Sequence, residues 1–481
     1  MSARLPDPGQ LAGKRVTVWG LGSFGGGVAA TRWLVARGAR VTVCDQKEAS
    51  ALGPALAALE GLPVRLALGG EREEDLLGAD LVVKNPAIPP ASPWVGRLAE
   101  AGVPVTAEIV LALAQVRVPY ALVTGSKGKS TTATLLGAML AGEGAPACVA
   151  GNNERPLLAE VDRLAPPARL VVEVSSFMAE ALREARGAGL AFPRPAALAI
   201  TSLSPEHLNW HGTLEAYYGA KLSLLELEPQ LVVWAGEDPE SARVVAPAAR
   251  ARPQARAWLD PGRAGPGDVT LVGEEVLRLL PDGGRRALFE RQDLRLLGRH
   301  NLQNALLAAA GAETLGATPT AIAAGARAFA PLPHRLEPVA VSARGVRFVN
   351  DSTATTPEAA IAALEAVTPP VVVLLGGRTK GADYGQLARV AAERAALVVC
   401  LGEMGPTLAG LIEGQVAAGH GRAAVLRVTG GFEEAFAQGL ARCPAGGTLL
   451  LAPGCTSYDM FGSFKERGEA FRRLARAAAQ E

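Results

Sequence analysis

The chain is poor in cysteine and in aromatic residues, and its few cysteines argue against a disulfide-stapled protein. Only 5 of its 481 residues are cysteine and 5% are aromatic. The cysteines are odd in number and scattered, and no two form a C-x-x-C pair. We therefore expect reduced thiols in a cytoplasmic protein, without a disulfide framework or a cysteine-based metal site.

The chain also lacks an excess of charge of either sign and any long hydrophobic run. Lysine and arginine number 48 against 47 acidic residues, a formal net charge of +1. This balance gives no general attraction to nucleic acid or to acidic membranes, so we expect neither as a partner. Apolar runs such as PVVVLLGG are too short to cross a bilayer, and the opening MSARLPDPGQLAGKR has no secretory apolar region.

Short β-branched runs alternate with Ala/Leu-rich segments of helical length almost throughout the chain. This rhythm predicts βα units, and the length exceeds what one hydrophobic core serves. We predict three α/β domains, at residues 1–107, 108–331 and 332–481, with residues 251–268 as a surface excursion of the middle one. The strand candidates are residues 16–19, 41–44, 80–83, 120–124, 170–174, 197–201, 371–375, 397–401 and 448–452.

The segment VTVWGLGSFGGGVAA, which begins at Val16, resembles the start of a dinucleotide-binding domain. An apolar strand precedes Gly20, Gly22 and Gly25 at G-x-G-x-x-G spacing, and a second strand ends near Asp45. In nicotinamide enzymes an acidic residue at about this distance binds the ribose. The glycines indicate a turn that accepts a diphosphate, but they do not name the ligand, so an oxidoreductase stays open here.

The segment ALVTGSKGKSTTATLLGAML joins a strand to a Gly-rich loop and then to a helix. Backbone N–H groups of such a loop can surround a polyphosphate, Lys129 can neutralise it, and Ser130 or Thr131 can hold Mg²⁺. The loop is a shortened form of the usual pattern, because Val123 stands where the first glycine is expected. We predict an ATP site rather than a turn with surface lysines.

Three further segments carry candidate ligands for a divalent cation. Glu173 ends the apolar run RLVVE, where a carboxylate beside a phosphate loop commonly holds Mg²⁺, although a solvated glutamate is the alternative. His207 and His211 stand four residues apart, but Leu208, followed by Asn209, stands where a zinc protease needs glutamate. We favour one histidine as a ligand of a catalytic ion over capping histidines. Lys221 alone is typical of a surface lysine.

Taken in order, these segments resemble the Mur ligase family of ATP-dependent enzymes that form amide bonds. The resemblance covers essentially the whole chain and rests on TGSKGKSTT, EVSSF, SPEHLNWHG, YYGAK, GRHNLQNALLA, LPHRLE and NDSTATTPEA. It implies a Rossmann-like N-terminal domain that binds a UDP-substrate, a central P-loop ATPase domain with a parallel sheet, and a Rossmann-like C-terminal domain that binds the incoming amino acid. The segments LLGGRTKGADY and LLAPGCTSYDMFGSFKERGEAF are similar to the branch that adds D-glutamate.

The implied reaction has two chemical steps. ATP phosphorylates the terminal carboxylate of UDP-N-acetylmuramoyl-L-alanine, and the amine of D-glutamate then displaces phosphate from the acyl phosphate. Catalysis would consist mainly of positioning and of charge neutralisation between two anions. The resemblance thus implies small-molecule substrates, a role in cytoplasmic peptidoglycan precursor synthesis, and a monomer.

The resemblance also implies roles for individual residues, with ATP and two Mg²⁺ ions as the cofactors. The expected catalytic residues are Lys129, His207 and Lys221. The expected metal ligands are Ser130, Glu173, His207 and Lys221, the last as a carbamate. The expected ATP contacts are Gly125, Ser126, Lys127, Gly128, Lys129, Ser130, Thr131, Asn301, Asn304, Arg335 and Asp351, with His334 beside Arg335.

Two substrate sites are implied in the same way. The expected UDP-substrate contacts are Gly22, Ser23, Phe24, Asp45 and Asn152. The expected D-glutamate contacts are Thr355, Lys380, Ser457 and Phe464, because a second carboxylate needs a cation and hydroxyl donors. The chain departs from the usual family pattern at Lys127, Asn153, Ser202, Asn209 and Thr353.

Two alternatives are weighed against this interpretation. Another ligase of the superfamily, such as a diaminopimelate- or lysine-adding muramoyl ligase or a folylpolyglutamate synthetase, is disfavoured because the C-terminal region has no D-N-P-R-like motif. A nicotinamide oxidoreductase built on residues 16–45 would leave the P-loop, Glu173 and His207 without a role.

Overall fold

The computed structural model describes residues 10–22, 25–153, 155–379 and 381–480. The predicted site residues Ser23, Phe24 and Lys380 lie outside these ranges. Three separate sheets of five, nine and six strands make up the described chain, which confirms the three-domain α/β fold. The chain packs as two compact units, Met1–Leu294 with Gln303–Phe329, and Arg295–Leu302 with Ala330–Glu481.

The first sheet is parallel, with strand order β3-β2-β1-β4-β5. The order reverses between β1 and β4, and ligands of open α/β sheets bind at this switch point. The glycine turn follows β1 there, as a Rossmann-like domain requires. The strands are β1 Arg15–Trp19, β2 Arg40–Asp45, β3 Val64–Leu68, β4 Leu81–Lys84 and β5 Val105–Thr106, and the helices are α1 Gly26–Ala36, α2 Gly53–Ala57, α3 Glu73–Leu76, α4 Pro93–Glu100 and α5 Glu108–Leu113.

The second sheet has the order β14-β13-β12-β11-β10-β9-β6-β8-β7. Its strands are β6 Tyr120–Thr124, β7 Ala147–Gly151, β8 Arg169–Glu173, β9 Ala197–Ile200, β10 Leu231–Ala235, β11 Gln254–Trp258, β12 Val269–Val272, β13 Glu275–Leu279 and β14 Arg285–Glu290. Its helices are α6 Lys129–Ala141, α7 Ser176–Gly187, α8 Leu208–His211, α9 Leu214–Leu222, α10 Pro239–Ala248, α11 Arg299–Thr314 and α12 Pro319–Ala328.

The strands from β7 to β12 run parallel, as predicted, but β13 and β14 continue the sheet in antiparallel pairing. The prediction of a surface excursion at residues 251–268 was wrong in part. β11 lies within this range and pairs with β10 and β12. Ala255 and Ala257 of this strand are buried. The sequence did not predict the strand because Arg256 separates these two apolar residues.

The third sheet has the order β15-β16-β20-β17-β18-β19, and only β15 in it is antiparallel to its neighbour. The run VVVLLG of β17 is buried throughout, as expected for a parallel strand covered by helices on both faces. The strands are β15 Glu337–Val341, β16 Arg347–Asn350, β17 Val371–Gly376, β18 Leu397–Leu401, β19 Ala424–Arg427 and β20 Thr448–Leu451. The helices are α13 Pro357–Ala366, α14 Gly385–Arg394, α15 Gly405–Ala417, α16 Phe432–Arg442 and α17 Phe464–Ala478.

The first two sheets share one hydrophobic core, which explains why they form a single compact unit. Val18 of β1 and Leu34 of α1 belong to the same buried cluster as Leu122 of β6. An ion pair between Arg37 and Asp162, with a nitrogen–oxygen distance of 2.9 Å, joins the same two layers. None of the described helices is long and apolar enough to span a membrane. The limits of the three domains stay predictions.

A buried carboxyl group lies where the first sheet meets the second. Glu108 begins α5 and is 7% exposed, and its Oε1 accepts a 2.6 Å hydrogen bond from the backbone N–H of Leu158. Burial raises the pKa of Glu108 to about 7. The folded protein therefore retains a proton that the unfolded chain loses near its ordinary pKa. The resulting stabilisation is complete below that pKa and is lost as the pH rises through about 7.

We predict that Glu108→Gln stabilises the protein at pH 8 by roughly 2 kcal/mol, because the amide keeps the acceptor and never carries the buried charge. Denaturant unfolding at pH 5 and pH 8 measures the effect, and the gain should be much smaller at pH 5. Glu100→Gln, at the exposed end of α4, is the matched control and should change stability little at either pH. An unchanged pH profile for Glu108→Gln would contradict the prediction.

Candidate active site

The loop from Gly125 to Gly128 joins β6 to the first turn of α6 and has the shape of a phosphate-binding loop. Gly125 has φ +140° and Gly128 has φ +89°, a backbone region that favours glycine. A Cβ on Gly128 would lie 2.4 Å from Oδ1 of Asn304, and one on Gly125 would lie 1.9 Å from Oγ1 of Thr201. The loop thus has no room for a side chain at either glycine, and its backbone leads into a helix N-terminus whose N–H groups attract anions.

Two lysine amines meet at this loop. Nζ of Lys129 donates hydrogen bonds to the carbonyl oxygens of Gly125 and Ser126, at 2.9 and 2.8 Å. Nζ of Lys221 donates to the same Gly125 oxygen at 2.6 Å, from α9. Lys221 is 1% exposed, so it is not a surface lysine. Burial, and then the charge of Lys129, lowers the pKa of Lys221 well below its usual range.

The carboxylate of Glu173 points into the same region from the end of β8. Parallel pairing places Glu173 beside Val123, just before the loop. Glu173 is 1% exposed, and its Oε1 accepts a 3.0 Å hydrogen bond from Nδ2 of Asn152. Among the residues that the structure describes, its Oε2 has no hydrogen-bond partner. A buried carboxylate oxygen of this kind is suited to a hard cation. Asn152 thus contacts this carboxylate, and its expected contact with the UDP-substrate stays a prediction.

His207 and His211 have different environments. His207 adopts φ 55° at the start of α8, and its ring centroid lies 4.8 Å from that of Phe177. Burial by the surrounding atoms lowers the pKa of His207, and the charges of nearby lysines add to the effect. Its imidazole is therefore neutral near pH 7, the form that binds metals. Nε2 of His211 lies 2.9 Å from Oγ of Ser176, which favours a structural role.

These donors fit Mg²⁺ bound together with a nucleotide better than an all-protein metal site. Within the described ranges, no three His, Cys, Asp or Glu side chains group so as to hold a metal. Mg²⁺ is commonly bound by one or two carboxylates together with phosphate oxygens. Glu173 supplies such a carboxylate, and Ser130 stands in the first turn of α6. When bound, Mg²⁺ would neutralise the phosphates during phosphoryl transfer.

The hydroxyl of Ser126 forms hydrogen bonds within the protein. It donates to the carbonyl oxygen of Ser204 at 2.8 Å and lies 3.0 Å from the hydroxyl of Tyr217. The backbone N–H of Ser126 donates to the carbonyl oxygen of Ser202 at 2.8 Å. The ATP contact expected from Ser126 stays a prediction.

The departures at Lys127 and Ser202 face each other. These two residues form an antiparallel bridge next to the loop. The amine of Lys127 forms an ion pair with the carboxylate of Glu206, so the additional positive charge of this loop is already balanced. The ATP contact expected from Lys127 stays a prediction.

The glycine turn of the first sheet packs against a residue that sequence reasoning missed. Gly20 and Gly22 have φ 82° and 71°, and a Cβ on Gly22 would lie 2.4 Å from Nδ2 of Asn85. That amide donates to the carbonyl oxygen of Gly20 at 3.3 Å. The available signal was an asparagine directly after β4, at the carboxyl edge of the sheet where the turn also lies.

The carboxylate of Asp45 stabilises the same turn. Asp45 is 7% exposed, and its two oxygens accept the backbone N–H groups of Leu21 at 2.7 Å and of Lys47 at 2.9 Å. The side chain of Asp45 thus fixes the glycine turn through the backbone N–H of Leu21. A contact between Asp45 and the uridine stays a prediction.

In the second compact unit, the structure brings Asp351 and His334 together through Thr353. Oγ1 of Thr353 lies 3.0 Å from the carbonyl oxygen of His334 and 3.2 Å from Oδ1 of Asp351. Asp351 is buried, which raises its pKa to about 6. Arg335 stands between two residues of positive φ, His334 at 62° and Leu336 at 44°. Thr353, a departure from the family pattern, therefore links this strained segment to the carboxylate.

The D-glutamate contacts expected in this unit also come from neighbouring segments. Oγ of Ser352 donates to the carbonyl oxygen of Phe464 at 2.8 Å, and the N–H of Gly454 donates to Ala354 at 2.9 Å. These bonds place the chain around Thr355 beside that around Ser457. One buried side chain nearby, Arg467, was missed. Its signal was an arginine on the buried face of α17.

The two expected asparagines of α11 differ in what they contact. Asn304 lies beside Gly128 in the first unit, and its role toward ATP stays a prediction. Nδ2 of Asn301 donates to the carbonyl oxygen of Leu297 at 2.8 Å. The role of Asn301 toward ATP stays a prediction.

Comparison with known proteins identifies the family of this chain. Three family models match the chain in succession: the Mur ligase MurD-like N-terminal domain at residues 14–107, the Mur ligase middle domain at 123–312, and the Mur ligase, glutamate ligase domain at 334–455. The UDP-N-acetylmuramoylalanine--D-glutamate ligase of Roseiflexus sp. (strain RS-1) is 37% identical, over 97% of this chain and 99% of its own. The chain belongs to the Mur ligase family. The nicotinamide interpretation of the glycine turn is therefore wrong.

Another relative and two solved structures are also similar to this Mur ligase. The protein of the same name from Pelotomaculum thermopropionicum is 36% identical, over 96% of this chain and 97% of its own. Among solved structures, a pseudomurein peptide ligase type C from Methanothermus fervidus has a TM-score of 0.57 at 17% identity, covering 96% of this chain and 99% of its own. MurF of Thermotoga maritima in complex with ADP has a TM-score of 0.56 at 16% identity, covering 100% of this chain and 98% of its own. These two share the fold. Mur ligases are ATP-dependent and use Mg²⁺.

We predict that Gly128→Ala weakens the binding of Mg-ADP by about tenfold or more, because overpacking against Asn304 displaces the loop. Calorimetric titration with Mg-ADP measures this effect. Gly144→Ala is the matched control, because Gly144 has a similar φ of 79° but nothing within 4 Å of an added Cβ. The control should lose some stability and keep its affinity, whereas equal affinity losses in both variants would contradict the prediction.

Proposed function

We propose that this Mur ligase adds D-glutamate to UDP-N-acetylmuramoyl-L-alanine in the synthesis of peptidoglycan precursors. The observation that carries the proposal is similarity over nearly the full chain to proteins named for this activity, at 37% and 36% identity. The matching of the C-terminal region to a glutamate ligase domain supports it. We further propose that the enzyme acts as a monomer in the cytoplasm on small-molecule substrates.

The residues of the first unit are suited to the activation step. A carboxylate is a poor electrophile until one of its oxygens leaves as phosphate. The carboxylate oxygen attacks the γ-phosphorus of ATP, the bond to the bridging oxygen breaks, and ADP leaves. Lys129 and the N-terminus of α6 stabilise the negative charge that the two anions bring together. Gly22, Ser23 and Phe24 would hold the diphosphate of the UDP-substrate, with Asp45 near the uridine.

The second step is attack by the amine of D-glutamate. The nitrogen bonds to the acyl carbon, phosphate leaves, and the nitrogen loses a proton. We propose that Thr355, Lys380, Ser457 and Phe464 hold the amino acid. Lys380 supplies the cation for its second carboxylate, and the hydroxyl groups donate hydrogen bonds to it.

We also propose that Lys221 is carbamylated and that two Mg²⁺ ions bind. Supporting this, the amine is buried and its lowered pKa favours the neutral form. A neutral amine can attack CO₂, forming an N–C bond and releasing a proton, which leaves an anionic carbamate. The change would replace a cation beside Lys129 with a metal ligand. His207 and the carbamate would then hold one ion, and Ser130 and Glu173 the other.

The substrate assignment predicts that phosphate is released from ATP only when UDP-N-acetylmuramoyl-L-alanine and D-glutamate are both present. A panel of amino acids tested with this nucleotide, with phosphate release and product mass as readouts, checks it. L-lysine, diaminopimelate and L-glutamate are the comparison substrates. Preferential use of lysine or diaminopimelate would overturn the assignment and favour another branch of the superfamily.

The carbamate proposal predicts that Lys221→Ala loses at least about 100-fold in kcat, because alanine can form no carbamate to bind the metal. Short carboxylates such as formate or acetate should restore part of the activity. Lys14→Ala, which removes an exposed lysine, is the control and should respond neither to the substitution nor to added carboxylates. Near-normal activity of Lys221→Ala without rescue would return Lys221 to a structural role.

A further inference from the structure

Arg467 of α17 is a cation buried in the second compact unit. It is 1% exposed, although arginine is rarely buried so fully without a charged partner. Nε donates to Oγ of Ser352 at 3.0 Å, and Nη2 donates to the carbonyl oxygen of Ser352 at 3.0 Å. Both terminal nitrogens donate to the carbonyl oxygen of Cys455, at 3.2 and 3.1 Å. The planar fork thus ties two loops together.

A third loop also packs against this guanidinium. A Cβ on Gly377, directly after β17, would lie 3.3 Å from Nη1 of Arg467 and 2.2 Å from the carbonyl oxygen of Thr456. Arg378 and Thr456 exchange backbone hydrogen bonds of 3.0 and 2.9 Å. Residues 352–355, 376–378 and 454–457 therefore meet at one side chain, and we call them the three anchored loops.

The hydrogen-bond acceptors around Arg467 are a hydroxyl and two carbonyl oxygens, which carry no net charge. Among the described residues, no carboxylate forms an ion pair with it. Burial lowers the pKa of Arg467 only to about 10, so the side chain remains charged at neutral pH. The charge of Asp459 acts on Arg467 without forming an ion pair with it. A buried charge without a direct ion-pair partner is screened less than a surface one, so its field extends to nearby ligands.

The anchored loops lead directly into the expected amino-acid contacts. Thr355 ends the first loop, Lys380 follows the second by two positions, and Ser457 ends the third, while Phe464 begins the helix that carries Arg467. One guanidinium therefore lies at the root of the segments that carry Thr355, Ser457 and Phe464. Its donors fix the spacing of the loops, and its charge is of the sign that an anionic amino acid needs.

We propose that Arg467 is a positioning residue that holds the three anchored loops in register and, through its unpaired charge, favours an incoming amino acid with a second carboxylate. The proposal rests on the proposed function, since it concerns the site for D-glutamate. Arg467 itself does not have to touch the substrate. Its two contributions, the fork of donors and the charge, can be separated by substitution.

The test uses Arg467→Lys, which keeps the charge and loses the fork, and Arg467→Met, which loses both. The measurements are KM for D-glutamate, ATP and UDP-N-acetylmuramoyl-L-alanine, and the ratio of kcat/KM for D-glutamate over that for D-glutamine. Arg473→Met is the matched control, because Arg473 is on the same helix with its side chain 65% exposed. Thermal unfolding of each variant shows that it is folded.

Arg467→Lys should raise KM for D-glutamate by about tenfold while KM for ATP changes less than about twofold, and the preference for D-glutamate over D-glutamine should stay. Arg467→Met should raise KM as well and lower that preference by about tenfold. The control should match the wild-type enzyme. Unchanged KM for D-glutamate, or equal increases for all three substrates, would overturn the proposal.

Hydrogen exchange on the wild-type enzyme decides the matter if Arg467→Met does not fold. D-Glutamate added with Mg-ADP should protect all three anchored loops together, and protection of one loop alone would contradict a common anchor. A wild-type enzyme that fails to use D-glutamate would refute the proposed function instead. In that case the exchange pattern with the accepted amino acid still tests the anchoring.

Discussion

The carbonyl oxygen of Gly125 accepts hydrogen bonds from the amines of both Lys129 and Lys221. Two ammonium groups on one acceptor repel each other, and one of the two is buried. Loss of a proton from Lys221 or binding of an anion relieves this repulsion. The lowered pKa of Lys221 and the phosphate-binding shape of the loop are consistent with both. Oε2 of Glu173, which has no hydrogen-bond partner among the described residues, is in turn suited to a cation.

The shared core of the first two sheets keeps that loop in a fixed relation to the glycine turn. The clustered side chains of β1 and β6, the ion pair of Arg37 with Asp162 and the buried Glu108 all lie on this boundary. The indole N–H of Trp210 also donates to the carbonyl oxygen of Ala87 at 3.2 Å, which ties the segment of His207 to the first sheet. The glycine turn and the P-loop are therefore parts of one packed body, so distances between them depend on core packing.

Sequence patterns predicted what local spacing encodes. The apolar run 371–375 predicts a buried strand, and the apolar run before Glu173 predicts that this residue ends a strand. The antiparallel pair β13 and β14 was missed because mixed polarity hides strands at a sheet edge. Asn85 and Arg467 were missed for a different reason, since each acts on chain segments far away in sequence. No spacing rule shows that a side chain will meet a distant backbone carbonyl.

The bridge between Lys127 and Ser202 has a consequence for how the loop meets its ligand. Together with the bonds of Ser126 to Ser204 and Tyr217, it orders the loop from the neighbouring strand end. The entropy of ordering this loop is then lost during folding of the chain and not at the moment of nucleotide capture. A substitution in the segment after β9 would then lower the affinity for the nucleotide without removing a contact to a phosphate. Because the loop is pre-organised, the stability of the neighbouring segment and the affinity for the nucleotide depend on the same contacts.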